Sequence, residues 1–337
     1  MKKNSVFIIC EAGVTNYGNF NLAKKQVDAA VAAKADAVKF QLWRTEYLVS
    51  KKVAKRYEKT LGYNWFARLK YKELSPDKIK KLQMYAKKKG IIFFATAHDN
   101  ASLEYLDKKL HIPFLKVGSG EADNEDFLKN VGRCKKPVFI SFGFHTDAEV
   151  HTAVRVLKKF GAPKVIPLHC VTKYPTPFEA VNLPRMDWLR KEFDIAGFSD
   201  HSVGKHACIA AVALGAAVIE KHITFDKTDP RSLDNPGALL PGEFAALVRE
   251  VREVEAALRT PSSASLKKER ASARAWAGQA IVAARDIKMG EKIVRAMLAF
   301  KRPAKGGIPA NKVGIILGKK AKVVIPIDEQ VLLKNLQ

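Results

Sequence analysis

Short apolar runs alternate with segments of helical apolar spacing through the first 258 residues of the chain. The runs are four or five residues long and apolar on both faces, which is typical of strands buried in a parallel sheet. They predict eight strands, at Val6–Cys10, Ala37–Phe40, Ile91–Ala95, Phe114–Val117, Val138–Ser141, Val165–His169, Ile195–Phe198 and Ala217–Glu220. The amphipathic segments predict helices that include Leu22–Ala35, Pro76–Lys89, Ser102–Leu110, Asp147–Phe160, Gly204–Leu214 and Pro241–Leu258.

Eight strand-then-helix units favour an α/β fold whose parallel sheet closes on itself, the (β/α)8 TIM barrel. An open doubly wound sheet is the alternative, but no Gly-x-Gly-x-x-Gly motif follows the first strand. The weakest unit follows Val165–His169, where Thr172–Arg185 is rich in proline. A long loop from Leu42 to Leu74 interrupts the second unit. Loops of that length at a catalytic rim are typical of lids or substrate contacts.

The pattern changes after Leu258. Residues 259–276 are polar and charged and predict a linker. Residues 277–337 offer short β-rich pieces separated by tight turns, which predict a small separate domain. A domain of that size is marginal for independent stability, so we expect it to pack against another surface, either the barrel or a partner subunit. The predicted organisation is a TIM-barrel catalytic domain at 1–258, the linker, and a small β-rich domain at 277–337.

Positive charge dominates the composition, because 59 Lys and Arg stand against 34 Asp and Glu, a formal net charge of +25. This balance raises the alternative of a nucleic-acid- or polyanion-binding protein. The lysines are scattered over the polar faces of predicted helices, however, with few aromatic residues between them and no helix-turn-helix or zinc-finger pattern. A solvated basic surface that attracts anionic substrates is the favoured interpretation.

No stretch of about 18 or more uninterrupted apolar residues occurs, so no membrane span is predicted. The apolar run near the amino terminus is too short for a signal peptide and lacks a small-residue cleavage site. Four widely spaced cysteines are expected to be reduced and mainly structural. We therefore expect a cytoplasmic enzyme with no membrane and no nucleic-acid partner.

Two histidines follow neighbouring apolar strands near the end of the predicted barrel. His201 lies in Gly-Phe-Ser-Asp-His, and His222 lies in Glu-Lys-His. Because the carboxyl ends of parallel strands meet at one end of the sheet, the two imidazoles could share one divalent metal ion. The alternative is that each is a hydrogen-bonded polar residue at a strand terminus.

Polar side chains follow nearly every predicted strand at the end where parallel barrels place their active sites. Two lysines among small hydroxyl groups suit a phosphate, and Gly118-Ser119-Gly120 would let backbone N–H groups approach an anion. An ordinary turn and lysines paired with nearby carboxylates are the alternatives. The residues alone predict a metal-dependent enzyme that acts on a phosphorylated small molecule. The predicted ring consists of Glu11, Lys39, Gln41, Thr96, Lys116, Ser119, Glu121, Ser141, His169, Ser199, His201, Glu220 and His222.

An ordered set of motifs resembles the N-acetylneuraminate (sialic acid) synthase family over nearly the whole chain. The final segment, with Asp286–Glu291 and Lys301-Arg302-Pro303, is similar to the antifreeze-like (SAF) domain that ends these enzymes. The barrel motifs are Ile9–Gly13, Asp36–Gln41, Lys116–Glu121, Leu168–Cys170, Tyr174–Pro177, Gly197–Ser202 and Glu220–Thr224.

The resemblance implies the condensation of phosphoenolpyruvate with an N-acetylated hexose and water, giving a nonulosonic acid and phosphate. His201 and His222 would bind Mn²⁺ or Mg²⁺. Arg302 would reach across a domain-swapped homodimer to hold the sugar's N-acyl group in the other subunit's site. Phosphoenolpyruvate would meet Lys39, Thr96, Lys116, Ser119, Ser141 and Ser199, with Thr172 where some relatives carry Asn or Ser. The residues that would contact the sugar or its reacting end are Glu11, Gln41, Glu121, Tyr174 and Asp234. Glu11 or Glu121 would be the acid–base group.

Several matched positions depart from the usual family pattern, namely Asn16, His98, Phe142, Phe144 and Thr172. His98 is expected to cap the following helix rather than to approach the site. The departures leave the acceptor open between N-acetylmannosamine and the precursors of legionaminate, pseudaminate or another modified nonulosonate. A related enzyme that makes a seven- or eight-carbon keto acid from a sugar phosphate would need a second cation cluster, which the sequence does not reveal.

Overall fold

Eight parallel strands close into a barrel in the first of two compact units of this computed structural model, which describes residues 5–337. The strands follow one another around the barrel in chain order, β1 to β8, and the predicted TIM barrel is confirmed. Their bounds are β1 Phe7–Gly13, β2 Ala37–Leu42, β3 Ile92–Ala97, β4 Leu115–Val117, β5 Val138–Phe142, β6 Val165–His169, β7 Gly197–Asp200 and β8 Val218–His222.

Helices follow the strands around the outside of the barrel. They are α1 Phe20–Ala32, α2 Thr45–Leu48, α3 Lys51–Leu61, α4 Trp65–Lys72, α5 Pro76–Lys88, α6 Asn100–Glu104, α7 Glu125–Arg133, α8 Asp147–Lys159, α9 Arg185–Glu192, α10 His206–Ala213 and α11 Pro241–Ala257. A π-helical turn at Tyr105–Lys109 continues α6, and short 3₁₀ turns lie at Ser119–Glu121, Phe178–Ala180 and Asn235–Gly237. No helix within residues 5–337 has the length and apolar character needed to cross a membrane.

Several strands extend further towards their carboxyl ends than the apolar pattern predicts. β1 continues to Gly13, and β8 continues to His222. The apolar criterion ends a strand where its apolar run ends, but the backbone ladder does not depend on side-chain polarity. The polar residues at these ends are therefore part of the strands, and the sheet fixes their positions.

The barrel interior changes from aromatic to polar along the strands. At its amino-terminal end the rings of Phe7, Phe94, Phe114 and Phe139 pack with centroids 5.4–6.0 Å apart. Because side chains two apart on a strand share a face, the inward positions above these rings include Glu11, Thr96, Lys116 and Ser141. The phenyl rings thus form an apolar floor beneath a polar end.

The long loop between β2 and α5 is largely helical. Three helices, α2, α3 and α4, occupy it, and the sequence pattern did not predict them. Ser50 and Asn64 cap α3 and α4 by accepting hydrogen bonds from backbone N–H groups. Their apolar faces are short and interrupted by charge, so periodicity alone gave too weak a signal.

The second unit begins at Arg259 and has its own small core. The segment expected as a linker contains helix α12, Ser263–Ala277. Strands β9, Ala280–Ala283, and β10, Leu298–Lys301, pair antiparallel. Ile281, Ile287 and Ile293 are fully buried in this core, and short 3₁₀ turns lie at Arg295–Met297, Ala310–Ile315 and Leu333–Asn335.

Candidate active site

A cavity of about 540 Å³ opens at the carboxyl ends of the barrel strands. Apart from His169, every residue of the predicted site that belongs to the barrel unit lines this cavity, whereas Arg302 belongs to the second unit and is exposed there. His169 of the predicted ring does not line this cavity, because its Nε2 donates to the Val181 carbonyl at 2.7 Å. The predicted residues that line it are Glu11, Lys39, Gln41, Thr96, Lys116, Ser119, Glu121, Ser141, Thr172, Tyr174, Ser199, His201, Glu220, His222 and Asp234.

Strand register aligns the charged residues. Glu11 on β1 lies opposite Lys39 on one side and His222 on the other. Thr96 pairs in register with Lys116, and Ser199 pairs with Glu220. Backbone hydrogen bonding therefore holds acid, base and hydroxyl groups side by side before any ligand binds.

The two cavity lysines contact carboxylates, as one of the sequence alternatives predicted. Lys39 Nζ lies 2.8 Å from a Glu11 oxygen and 3.6 Å from Glu220. Lys116 Nζ lies 3.7 Å from Glu220. The lysines also donate to hydroxyls, Lys39 to Thr96 at 2.9 Å and Lys116 to Ser141 at 2.8 Å. Ion pairing and a phosphate site are compatible here, because the same ammonium groups line the cavity.

Burial and charge act in opposite directions on these groups. Burial lowers the pKa of Lys116 below its ordinary value, and the charge of Glu220 only partly offsets this. Burial would also lower the pKa of Lys39, but the charges of Glu11 and Glu220 outweigh it and raise that pKa. Burial would raise the pKa of Glu220, yet Lys116 and Lys39 hold it well below its ordinary range. Lys39 and Glu220 are thus a buried ion pair.

His201 and His222 face each other with ring centroids 5.5 Å apart. His201 Nδ1 donates to the Val171 carbonyl at 2.8 Å, which leaves the lone pair on Nε2. Burial, with the charge of His222, lowers the pKa of His201 to about 4, so its imidazole is neutral at pH 7. His222 Nδ1 is buried, has no hydrogen-bond partner among the described residues and lies 3.7 Å from Asp234 Oδ2.

This donor set fits a divalent metal ion. A neutral imidazole with its second nitrogen bonded to a backbone carbonyl is the usual arrangement of a metal-binding histidine. Within residues 5–337 no group of three or more His, Cys, Asp and Glu side chains has metal-binding geometry. Two imidazoles would therefore leave most coordination positions to substrate and water.

Gly13 allows β1 to approach His222. A Cβ atom at Gly13 would lie 2.9 Å from His222 Nδ1, and its φ of +52° is a conformation that favours glycine. Any larger residue would displace the imidazole from the cavity wall.

A buried ion pair aligns the two histidine strands from the other face of the sheet. Lys221 Nζ donates to Asp200 Oδ2 at 2.6 Å and to the Ser202 carbonyl at 2.6 Å, and the Lys221 side chain is fully buried. Asp200 precedes His201, and Lys221 precedes His222. The pair therefore ties β7 to β8 one residue from each imidazole.

The expectation that His98 caps the next helix is wrong. Asp99 caps α6, with its carboxylate accepting from Ser102 N. His98 instead lines the cavity, and its Nδ1 lies 2.9 Å from Glu121 Oε1. Burial alone would raise the pKa of Glu121, but the charge and hydrogen bond of His98 outweigh it and lower that pKa.

The other departures from the family pattern differ in position. Thr172 lines the cavity, next to Gly143, where a Cβ atom would lie 1.9 Å from its hydroxyl. Phe142 and Asn16 are buried away from the cavity lining, and Phe144 is 60 % exposed. Of the five departures, His98 and Thr172 are therefore the two positioned to contact a substrate.

Sequence reasoning missed the residues that form one side of the cavity, here called the outer wall. The length of the loop after Leu42 was the only signal, and it indicated substrate contacts without naming them. The outer wall is largely apolar, with two cations, and consists of Trp43, Leu48, Val49, Tyr63, Trp65, Arg68, Leu69 and Lys72.

Residues 26–263 match the model of the NeuB family, and residues 278–337 match the SAF domain. The chain belongs to the NeuB family. This confirms the resemblance seen in the motifs and agrees with the small β-rich unit after the barrel.

Named relatives agree with the NeuB assignment over most of their length. The N,N'-diacetyllegionaminic acid synthase of Campylobacter jejuni is 37% identical over 98% of this chain and 99% of its own. Human N-acetylneuraminate-9-phosphate synthase is 34% identical over 97% of this chain and 91% of its own. The crystal structure of N-acetylneuraminic acid synthetase from Leptospira borgpetersenii superposes with a TM-score of 0.70 at 32% identity, covering 80% of this chain and 91% of that one. These relatives are nonulosonic acid synthases.

Proposed function

We propose that the protein condenses phosphoenolpyruvate with an N-acetylated hexose and water to give a nonulosonic acid and inorganic phosphate. The observation that carries the proposal is that one cavity contains both a facing pair of imidazoles and two buried ammonium groups. An anionic three-carbon donor and a carbonyl acceptor need both kinds of group within reach of each other.

Phosphoenolpyruvate would bind at Lys39 and Lys116. Both ammonium groups are almost fully buried, so their attraction for an anion is little screened by water. Thr96 and Ser141 already orient the two ammonium groups through hydrogen bonds. Ser119 Oγ accepts from Gly143 N at 2.9 Å, which keeps its own proton free to donate to a phosphate oxygen. Ser199 and Thr172 add further hydroxyls.

The open-chain sugar would present its aldehyde to His201 and His222, and Asp234 and Tyr174 would bind its hydroxyl groups. A Mn²⁺ or Mg²⁺ ion held by the two imidazoles would polarise the aldehyde oxygen. C3 of phosphoenolpyruvate then forms a bond to the aldehyde carbon, and the positive character left at C2 is quenched by water. The tetrahedral species loses phosphate by carbon–oxygen cleavage and becomes the 2-keto acid.

Glu11 is a better candidate than Glu121 for the acid–base group that accepts the proton from the water that adds at C2. Burial raises the pKa of Glu11 above its ordinary value, against the opposing charge of Lys39, whereas the pKa of Glu121 is lowered. Gln41 Nε2 donates to Glu11 Oε1 at 2.8 Å and fixes the orientation of its carboxyl group. A carboxyl group with a raised pKa, held in place, suits general acid–base catalysis.

The test is incubation with phosphoenolpyruvate, Mn²⁺ and N-acetylmannosamine, with the product mass measured. His222→Ala should abolish the product while the protein stays folded. His151→Ala is the matched control, because His151 lies on α8 and does not line the cavity. Full activity after complete removal of divalent metal would contradict the proposal. A panel of other N-acetylated hexoses, including the precursors of legionaminate and pseudaminate, then identifies the acceptor.

The family resemblance also predicts a domain-swapped homodimer in which Arg302 completes the partner subunit's site. Arg302→Ala and His222→Ala chains, each inactive alone, should regain activity when their subunits are mixed. In a mixed dimer one site would then hold both an intact His222 and an intact Arg302. Failure of the mixture to recover, together with a monomeric mass in solution, would remove this part of the proposal.

A further inference from the structure

Lys72 is a buried cation on the outer wall that the proposed chemistry leaves unused. It is the last residue of α4, is only 5% exposed and lines the cavity. Within the described part of the chain its ammonium group has charged neighbours, Asp234, Arg68 and Asp229, but no side-chain hydrogen bond. A charge on a largely buried side chain that has no close partner is costly, so its retention beside a cavity points to an anion that arrives with a ligand.

The charges around Lys72 do not neutralise it. Burial lowers its pKa to about 8, and the charges of Asp234, Arg68 and Asp229 modify this only in part. Asp229 is already held by Arg231, with oxygen–nitrogen distances of 2.6–3.0 Å. Asp234 lies 3.7 Å from His222. An additional negative group close to Lys72 would therefore stabilise the site.

Arg68 supplies a second cation one helical turn away on the same face of α4. Its guanidinium donates to the Pro230 carbonyl at 2.6 Å and to the Arg231 carbonyl at 3.3 Å, and it packs over the Tyr63 ring at 4.6 Å. A guanidinium has five N–H donors, so donors remain after these two contacts. Arg68 is thus fixed in orientation and still able to bind an anion.

These two cations lie on a different side of the cavity from the phosphoenolpyruvate lysines. Lys39 and Lys116 stand on β2 and β4 and contact Glu11 and Glu220. Lys72 stands on α4, and the carboxylate whose charge acts most strongly on it is Asp234. Asp234 also lies 3.7 Å from His222, so one carboxylate is close to His222 and acts on the charge of Lys72.

We propose that Arg68 and Lys72 form a second anion subsite, which binds a phosphate monoester on the acceptor sugar at the end remote from its aldehyde. The inference rests on the proposed function, because it names the acceptor as a phosphorylated N-acetylated hexose.

The experiment compares N-acetylmannosamine with the same sugar carrying a phosphate monoester on C6. Wild type should use the phosphorylated sugar with a kcat/KM at least about tenfold higher, the range expected for one charged hydrogen bond. Lys72→Met should remove that preference by weakening only the phosphorylated acceptor. Lys72→Arg, which keeps the charge, should retain most of it.

Lys70→Met is the matched control, because Lys70 lies on the same helix but is exposed and pairs with Glu46 and Glu73. It should leave the preference unchanged. Equal use of both acceptors by wild type, or an equal loss for both in Lys72→Met, would overturn the subsite.

Calorimetric titration with the phosphorylated sugar alone separates this inference from the proposed function. If wild type releases no phosphate from phosphoenolpyruvate with either sugar, the proposed condensation fails. Binding of the phosphorylated sugar that weakens about tenfold in Lys72→Met still supports the subsite. Absence of binding to wild type overturns it.

Discussion

The inner wall of the cavity (Glu11, Lys39, Lys116, Ser141 and Glu220) stands on barrel strands, whereas the outer wall stands mostly on the helices between β2 and α5. On the inner wall each lysine has carboxylate and hydroxyl contacts before a ligand binds. On the outer wall Lys72 has no such partner in residues 5–337, and Arg68 contacts only backbone carbonyls through hydrogen bonds.

The difference indicates a division of labour. A wall built on strands keeps its geometry through the sheet, which suits the reaction that the family members share. A wall built on a loop can change its length and composition without disturbing the barrel. We therefore expect changes on the inner wall to affect catalysis with every acceptor, and changes on the outer wall to affect the choice of acceptor.

The largest effect is expected for the inner lysines. Lys39→Met or Lys116→Met should lower kcat/KM about 10³-fold with every acceptor, because each removes a buried cation that stabilises developing negative charge. Steady-state phosphate release measures the effect. Lys108→Met is the control, since Lys108 is exposed and pairs with Glu104 on the protein surface. A decrease in kcat/KM with one acceptor but not with the others would contradict the proposal that the inner wall serves catalysis with every acceptor.

Lys221→Met should lower the free energy of unfolding by about 3–5 kcal/mol, because it leaves the buried Asp200 carboxylate without its cation. Urea titration measures this loss. The double variant Asp200→Leu with Lys221→Met should recover part of it, since no lone charge then remains buried. A single variant as stable as wild type would show that the β7–β8 ion pair does not support the inner wall.

The two carboxyl groups proposed for acid–base work should differ. Glu11→Gln is expected to lower kcat about 10²–10³-fold, the usual contribution of a positioned acid–base group. Glu121→Gln should lower it about tenfold, because Glu121 pairs with His98 and has a lowered pKa. Single-turnover rates at saturating substrate separate the two. The reverse order of effects would assign the proton transfer to Glu121.

The smallest effect is expected for the stability of a Lys72 variant, which should be more stable than wild type, whereas most substitutions destabilise a protein. Lys72→Met should raise the free energy of unfolding by about 1–2 kcal/mol at pH 7, because folding buries a charge there. The folded pKa of about 8 lies below the ordinary 10.5, so this penalty is full below pH 8. As the pH rises towards 10.5, the free energy of unfolding of the wild type should increase relative to that of the variant. The charges of Asp234, Arg68 and Asp229 also act on Lys72 and contribute to this dependence. Urea titration across this range measures it, and a variant less stable at pH 7 would contradict an unpaired Lys72.

Much of the barrel was predictable because its strands are buried on both faces and its helices are amphipathic. The inner wall was predictable too, since polar residues such as Glu11 and Glu220 lie at the ends of otherwise apolar runs. The outer wall was not, because Arg68 and Lys72 lie on a short charged helix without a clear apolar period. His98 was misjudged for a related reason: sequence spacing cannot show that Glu121, 23 residues away, lies within hydrogen-bond distance.

The central claim is tested most directly with phosphoenolpyruvate labelled with oxygen-18 at its bridging oxygen. The labelled donor is incubated with Mn²⁺ and N-acetylmannosamine or its C6 phosphate. The masses of the keto acid and of the released inorganic phosphate are then measured by mass spectrometry. We predict a nine-carbon 2-keto acid without the label and inorganic phosphate that carries it. Unchanged phosphoenolpyruvate with every N-acetylated hexose tested, or label retained in the keto acid, would contradict the account.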